Sequence, residues 1–162
     1  MSKRRQTVTS GQVTVTYDSH LCIHAAECVR RLPAVFDPSV ARWIRPDRAS
    51  AEEVVAAVAR CPTGALQATR ADGATEPPDQ PATVQVTARG PLHVRGAVRV
   101  VDHAGQVVAS GPRLALCRCG ESRNKPFCDG SHRAAGFSDP GLPLGSSEKT
   151  SRPARSPRGD DA

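Results

Sequence analysis

At 162 residues the chain has room for one medium domain or two small ones. Apolar residues make up 38% of it and aromatics only 3%, so neither half can build a deep core, and domains this lean are commonly completed by a metal, disulfides or a partner subunit. The net charge of +6 is spread over scattered Lys and Arg, and with almost no aromatic side chains for base stacking it argues against a nucleic-acid partner.

Met1–Ser10 is basic and polar with no apolar run behind it, so no secretory signal is expected, and no stretch is long enough to span a bilayer. The expected compartment is the cytoplasm, where thiols stay reduced, and six cysteines there read as metal ligands before they read as three disulfides. Gln12–Tyr17 alternates Val13, Val15 and Tyr17 with threonines and predicts a half-buried strand. Arg42–Arg45 is a candidate short strand. Ser50 and Glu53 form a capping box that opens a helix, along which Val54, Val58 and Cys61 share one face. Pro62 stops it directly after Cys61, and Leu66–Arg70 is a further strand candidate. Phe36 and Trp43 are the expected aromatic anchors of this half.

Residues 71–82 (ADGATEPPDQPA) hold three prolines, three acids and no large apolar residue, which predicts an extended linker that lets the two halves dock variably. Beyond it the period changes to two. Thr83–Ala88, Leu92–Asp102, Gln106–Ser110 and Arg113–Cys117 are predicted strands, with a turn at Gly105. His93 and His103 lie in this stretch away from any cysteine and are expected at the surface, as is His20 in the first half. Residues 138–162 are rich in Pro, Gly, Ser and charge and predict a disordered tail. The expected class is α+β: a small α+β domain over 11–70, the linker over 71–82, a small β-rich domain over 83–137, then the tail.

The densest chemical signal is Cys117-Arg118-Cys119, eight residues, then Cys128-Asp129-Gly130-Ser131-His132. Four residues of metal-ligand type fall within sixteen positions. The Gly- and Pro-containing loop between Cys119 and Cys128 can fold back so that the thiolates converge. Gly130 permits a turn with positive φ, and Asp129 can accept backbone N–H bonds that fix it. Zinc and iron–sulfur sites both use thiolate and imidazole. Structural zinc sites usually space their cysteines by two to four residues, from which the tight Cys-x-Cys pair departs.

Cys117, Cys119, Ser122, Pro126, Cys128, Asp129, Gly130, Ser131 and His132 fit the pattern C-x-C-x2-S-x3-P-x-C-D-G-S-H throughout. That segment resembles the CDGSH iron–sulfur domain family, and Gly90–Gly96 (GPLHVRG) is similar to the strand lead-in of its bacterial members. The resemblance implies a 2Fe–2S cluster held by Cys117, Cys119, Cys128 and His132, with Ser122, Pro126, Asp129, Gly130 and Ser131 around it. It also implies that a homodimer formed through the strands of this domain is to be expected. With one imidazole among the ligands the potential is raised, and an imidazole can take up a proton near neutral pH. Acid is therefore expected to labilise this cluster, and His132→Cys to stabilise it.

In the first half, Cys22, Ala25 and Cys28 keep the frame of the bacterial ferredoxin run C-x2-C-x2-C with the middle cysteine replaced. Cys61-Pro62 supplies the distant Cys-Pro. The stretch from about Val13 to Thr69 resembles the single-cluster bacterial ferredoxins, in particular the divergent group that opens C-x-H-x3-C (here Cys22, His24 and Cys28) and closes on Cys61-Pro62-Thr63-Gly64-Ala65-Leu66. Three thiolates suit a 3Fe–4S cluster, or a 4Fe–4S cluster whose open iron takes water or His24. His24 stands one residue before the vacant position, so it is carried as a candidate ligand beside the alternative of a capping histidine.

The chain lacks a Gly-rich phosphate loop and a nucleophile–His–acid set. The expectation is a non-enzymatic iron–sulfur protein with two clusters that exchanges electrons with transient redox partners, without nucleic acid or membrane; basic side chains would compensate the negative clusters. The alternatives are cluster transfer to an acceptor or redox and iron sensing, and after these a zinc-stabilised interaction module.

Overall fold

The computed structural model describes residues 5–142. Within them lie two three-stranded antiparallel sheets and few helices. The predicted disordered tail falls almost wholly outside the described residues, which include only its first part, 138–142.

The first sheet runs β1 (Arg5–Ser10), β2 (Val13–Asp18) and β3 (Leu66–Arg70), with β2 in the middle. β2 and β3 appear where the two-residue period places them. Val13 and Val15 of β2 and Leu66 and Ala68 of β3 turn the same way, into the core. β1 is an addition to the sequence reading. Val8 is its only large apolar residue, so no hydrophobic alternation marks it; its order comes from pairing Ser10 with Val13 across Gly11, whose φ of +53° suits a tight hairpin loop.

Of the two helices in this half, the second and a short 3-10 turn at Pro46–Arg48 pack on this sheet, and the first packs on the second. α2 (Ala51–Val58) starts at the predicted capping box: Glu53 N donates to Ser50 Oγ at 3.3 Å, and Ser50 N donates to Glu53 Oε2 at 2.9 Å. It buries Val54, Ala57 and Val58. The last turn is closed by Cys61 N donating to Val58 O at 2.9 Å, and Pro62 ends it. α1 (Glu27–Arg31) is short and has no side-chain cap, which left it unmarked in the sequence. The core is completed by Val35, Phe36 and Ile44. Phe36 is fully buried, whereas Trp43 is half-buried and sits edge-on to Tyr17 with ring centroids 4.8 Å apart. The expected strand over Arg42–Arg45 is not formed. The chain reverses through the Asp37 turn, where Ser39 N donates to Asp37 Oδ1, so that Ile44 meets only Phe36 in a single bridge.

The second sheet runs β4 (Thr83–Val86), β5 (Leu92–Val101) and β6 (Val107–Leu116) in that order. The two predicted strands Gln106–Ser110 and Arg113–Cys117 are one continuous strand. Pro112 between them is tolerated because β6 is an edge and the residue lies opposite a bulge between Arg95 and Val98. The bulge carries Gly96 at φ +126°, where a Cβ would meet Ala82 Cβ at 2.6 Å and Asp79 O at 3.2 Å.

The variable docking expected of residues 71–82 is not what the structure shows, because the halves are fastened together. Arg113 of β6 is 1% exposed. Its Nη1 donates to Val58 O at 2.9 Å and to Cys61 O, and its Nη2 donates to Leu66 O at 3.2 Å and pairs with Glu76 Oε2 at 2.5 Å. A composition-based linker reading misses this because the fastening residue lies outside the linker. Among the described residues no helix is long and apolar enough to cross a membrane.

Candidate metal centres

In the first half, β2 ends at Asp18 and the chain enters a loop that carries Cys22 and leads into α1. Asp18 Oδ1 accepts the His20 N–H at 3.0 Å and fixes the loop's start. His24 and Ala26 then adopt left-handed φ of 53° and 60°, each costing a non-glycine residue about 1–2 kcal/mol. Such strain is held in place only where the surroundings over-determine the backbone. α1 starts directly after Ala26 and carries Cys28. Cys61 arrives from the far side, on the turn that ends α2.

These three cysteines and His24 line one cavity of about 350 Å³, walled by Tyr17, Ile23, Val29, Trp43 and Leu66, with Pro38 and Val40 at its rim. The thiols also lie within each other's fields. Burial pushes the Cys28 thiol up, and Cys61 and Cys22 add to the shift. Tyr17 is raised above the ordinary phenol value by burial first, then by a hydrogen bond with Cys22 and the proximity of Cys28 and Cys61. Three thiols converging from two distant segments on one apolar cavity suit a group larger than a single ion, and iron would supply the charge that keeps them deprotonated. Thr63 Oγ1 lies 3.7 Å from Cys61 Sγ and accepts the Ala65 N–H, which stiffens the loop after Cys61. Gly64 has φ +69°, and a Cβ there would stand 2.5 Å from Arg113 O.

In the second half, β6 delivers Cys117 and the following loop folds back. Cys117 N donates to Pro126 O and Cys128 N to Ala115 O, both at 2.8 Å, so that Cys128 returns beside the strand it left. Ser122 is buried inside the loop, donating to Phe127 O at 2.7 Å and accepting from Asn124 N at 3.0 Å. Asp129 accepts the N–H groups of Arg123 and Ser131 at 2.9 and 3.0 Å. A hydrogen bond with the Ser131 side chain leads the effects that hold its carboxyl down to about 2. Gly130 turns at φ +90°. Arg118, between the first two cysteines, donates to Gly90 O and Thr87 O and pairs with Asp139 at 2.6 Å, tying the loop to the sheet.

The ligand candidates here stand in two pairs. Cys117 Sγ lies 3.8 Å from Cys119 Sγ, and Cys128 Sγ lies 3.4 Å from His132 Nδ1. Among the described residues, no three His, Cys, Asp or Glu side chains form a group spaced for one metal ion. Two pairs match the demand of a two-iron core, with two protein ligands to each iron. Backbone N–H groups face the sulfurs: Gly130 N lies 3.4 Å from Cys128 Sγ and Glu121 N 3.4 Å from Cys119 Sγ. Burial works against ionising Cys117, but bonds from the Ser122 and Gly120 backbone and from Cys119 outweigh it and leave the thiol below its ordinary value.

Comparison with known proteins follows this division. Residues 8–71 match the family model of the divergent 4Fe-4S mono-cluster, and residues 89–133 match that of the iron-binding zinc finger of CDGSH type. The uncharacterized protein YjdI of Escherichia coli strain K12 is 32% identical over 59 residues, which is 36% of this chain and 78% of the relative. The protein of the same name from Escherichia coli O157:H7 matches to the same extent. The chain belongs to the divergent 4Fe-4S mono-cluster family, with a CDGSH-type domain following. Iron–sulfur binding is thus indicated for both halves of this mono-cluster–CDGSH protein.

His24 lines the first cavity but is itself exposed. His93, expected at the surface, is half-buried on β5, and its Nε2 is buried without a hydrogen-bond partner. Burial lowers its pKa first, then Arg95, then His132. Its position in the GPLHVRG lead-in was the one signal that could have tied it to the second centre. Arg113 and Ile23 were also missed; neither carries a ligand atom, and only the fold brings them between the two centres.

Proposed function

We propose that the chain carries two iron–sulfur clusters and exchanges single electrons with transient redox partners. Cys22, Cys28 and Cys61 hold a 3Fe–4S or 4Fe–4S cluster in a ferredoxin-like α+β domain, with His24 as candidate fourth ligand. Cys117 and Cys119 hold one iron of a 2Fe–2S cluster, and Cys128 and His132 the other. The observation that carries the reading is the convergence of three cysteines, drawn from positions far apart in sequence, on one apolar cavity. The reading is of a binding and redox module, not an enzyme, working in the cytoplasm. Exposed Val84 and Val86 on the edge strand β4 give a surface through which the second domain could pair as a homodimer.

A second reading, cluster transfer or redox sensing, draws on the unequal exposure of the second centre: Cys128 and His132 are buried while Cys117 and Cys119 are partly open. An acceptor's thiols would reach the open pair first.

The test is oxygen-free purification with iron and acid-labile sulfide counting, together with electron paramagnetic resonance of oxidised and reduced protein. Two clusters per chain are expected; folded protein without iron or sulfide overturns the reading. Comparing the rate of electron uptake from a reductase with that of cluster delivery to an apo-acceptor separates the two functions.

A further inference from the structure

The two centres meet back to back across a single residue. Ile23 follows Cys22 directly in the chain. Its side chain does not line only the first cavity: it is 5% exposed and packs in a small apolar cluster with Ala115 (3%) and Cys128 (4%), with Ala25 alongside. A residue bonded to one candidate ligand thus packs against a candidate ligand of the other centre. A second link runs parallel to it. Arg133, next to His132, donates its Nη1 to Ile23 O at 2.9 Å. A third contact, Asn124 Nδ2 to His20 O at 2.7 Å, closes the same seam from the side. On the far flank, Arg113 holds Cys61 O and Val58 O from the strand that leads to Cys117. The seam is apolar and buried at its centre and fixed at both margins.

We propose that Ile23, with the Arg133 hydrogen bond to its carbonyl, forms an internal electron bridge between the two metal centres, so that the chain is a two-station relay with entry at one cluster and exit at the other. This rests on the two-cluster reading above. Electron tunnelling weakens steeply with distance, and faster through space or water than through bonded and packed atoms. The bridge offers a packed path through the Ile23 side chain to Cys128 and a hydrogen-bonded one through its carbonyl to Arg133 and His132. With both clusters bound, the passage of one electron would oxidise the Cys22/Cys28/Cys61 centre by one unit and reduce the Cys117/Cys119/Cys128/His132 centre by one. No bond or proton is exchanged. The electron is supplied by a low-potential one-electron donor protein and removed by a one-electron acceptor protein. The imidazole would favour the second centre as acceptor relative to an all-thiolate 2Fe–2S site.

The test uses the full-length protein with both clusters present by iron and sulfide count. Electron paramagnetic resonance is recorded in the redox state that makes both clusters paramagnetic, and compared with the spectra of Cys28→Ser and Cys128→Ser, each retaining one cluster. Splitting or broadening beyond the sum of the two single-site spectra, with faster spin relaxation, is expected. Rapid-mixing reduction should also show electrons reaching the second centre more slowly in Ile23→Ala and Arg133→Gln at unchanged iron content. Spectra that add without interaction at full cluster content overturn the bridge and leave the two-cluster reading standing. A missing cluster overturns the two-cluster reading instead.

Discussion

The two centres solve the same problem in opposite ways. The second is built from sixteen consecutive positions, and many of the contacts that set its ligands are local: Asp129 with Ser131, Ser122 with Asn124 and Phe127, Cys128 with His132. The first draws Cys22 from a strained loop, Cys28 from α1 and Cys61 from the turn that ends α2, and needs the whole β2–α2–β3 core to bring them to one cavity. A locally built centre survives damage elsewhere. One assembled across the fold is as stable as the core beneath it.

The largest effects should come from ligands. Cys128→Ser should remove the iron of the second centre and leave the first, and Cys28→Ser the reverse, as read by iron content and paramagnetic resonance. If either substitution empties both centres, the two do not load separately. Next in size is Arg113→Ala, which removes the guanidinium from Glu76 and from the carbonyls of Val58, Cys61 and Leu66, leaving Val58 O the Cys61 N–H and Glu76 the more distant Arg95 at 4.0 Å. Removing one member of a buried, paired charge costs about 3–5 kcal/mol, seen as a lowered denaturation midpoint and, by the contrast above, as iron lost from the first centre before the second. Arg113→Lys should recover only part of this, since an ammonium cannot reproduce the planar fork.

A sharper but smaller effect concerns pH. Burial, then Arg133, hold the His132 imidazole below its ordinary value. Cluster loss from the second centre should therefore accelerate toward the acid end of the range from about pH 8 to pH 5 in which imidazole titrates, and His132→Cys should flatten that dependence. Equal loss rates for both proteins across the range would remove the imidazole from the account. The smallest effect belongs to the α2 cap. Ser50→Ala should cost about 1 kcal/mol by thermal denaturation. Glu53 is held below its ordinary value by the hydrogen bonds from Ser50. Its contribution is therefore full above the usual glutamate pKa, about 4.3, and fades as pH falls through the depressed folded value. The two proteins should accordingly converge in stability under acid.

What the sequence disclosed follows the same division. The second centre could be read because its residues lie side by side, and the alternation of β2, β3 and β5 and the Ser50–Glu53 box signalled their elements for the same local reason. β1 went unseen because an edge strand with one valine has no pattern of its own. α1 has no cap to announce it. Pro112 split β6 in the reading, because only the sheet reveals that its missing N–H faces a bulge. The convergence of Cys61 with Cys22 and Cys28 was carried by resemblance and not by spacing, and the seam through Ile23 and Arg113 had no sequence signal at all.

The grip of Arg113 on the carbonyls of Val58, Cys61 and Leu66 also bears on how the protein can be dissected. Cutting the chain after Arg70, where composition invites it, would hand those carbonyls to water and uncover Gly64 where it lies against the Arg113 backbone. The fragment would keep every thiol of the first centre and lose the brace behind one of them, so its properties would describe the cut as much as the domain.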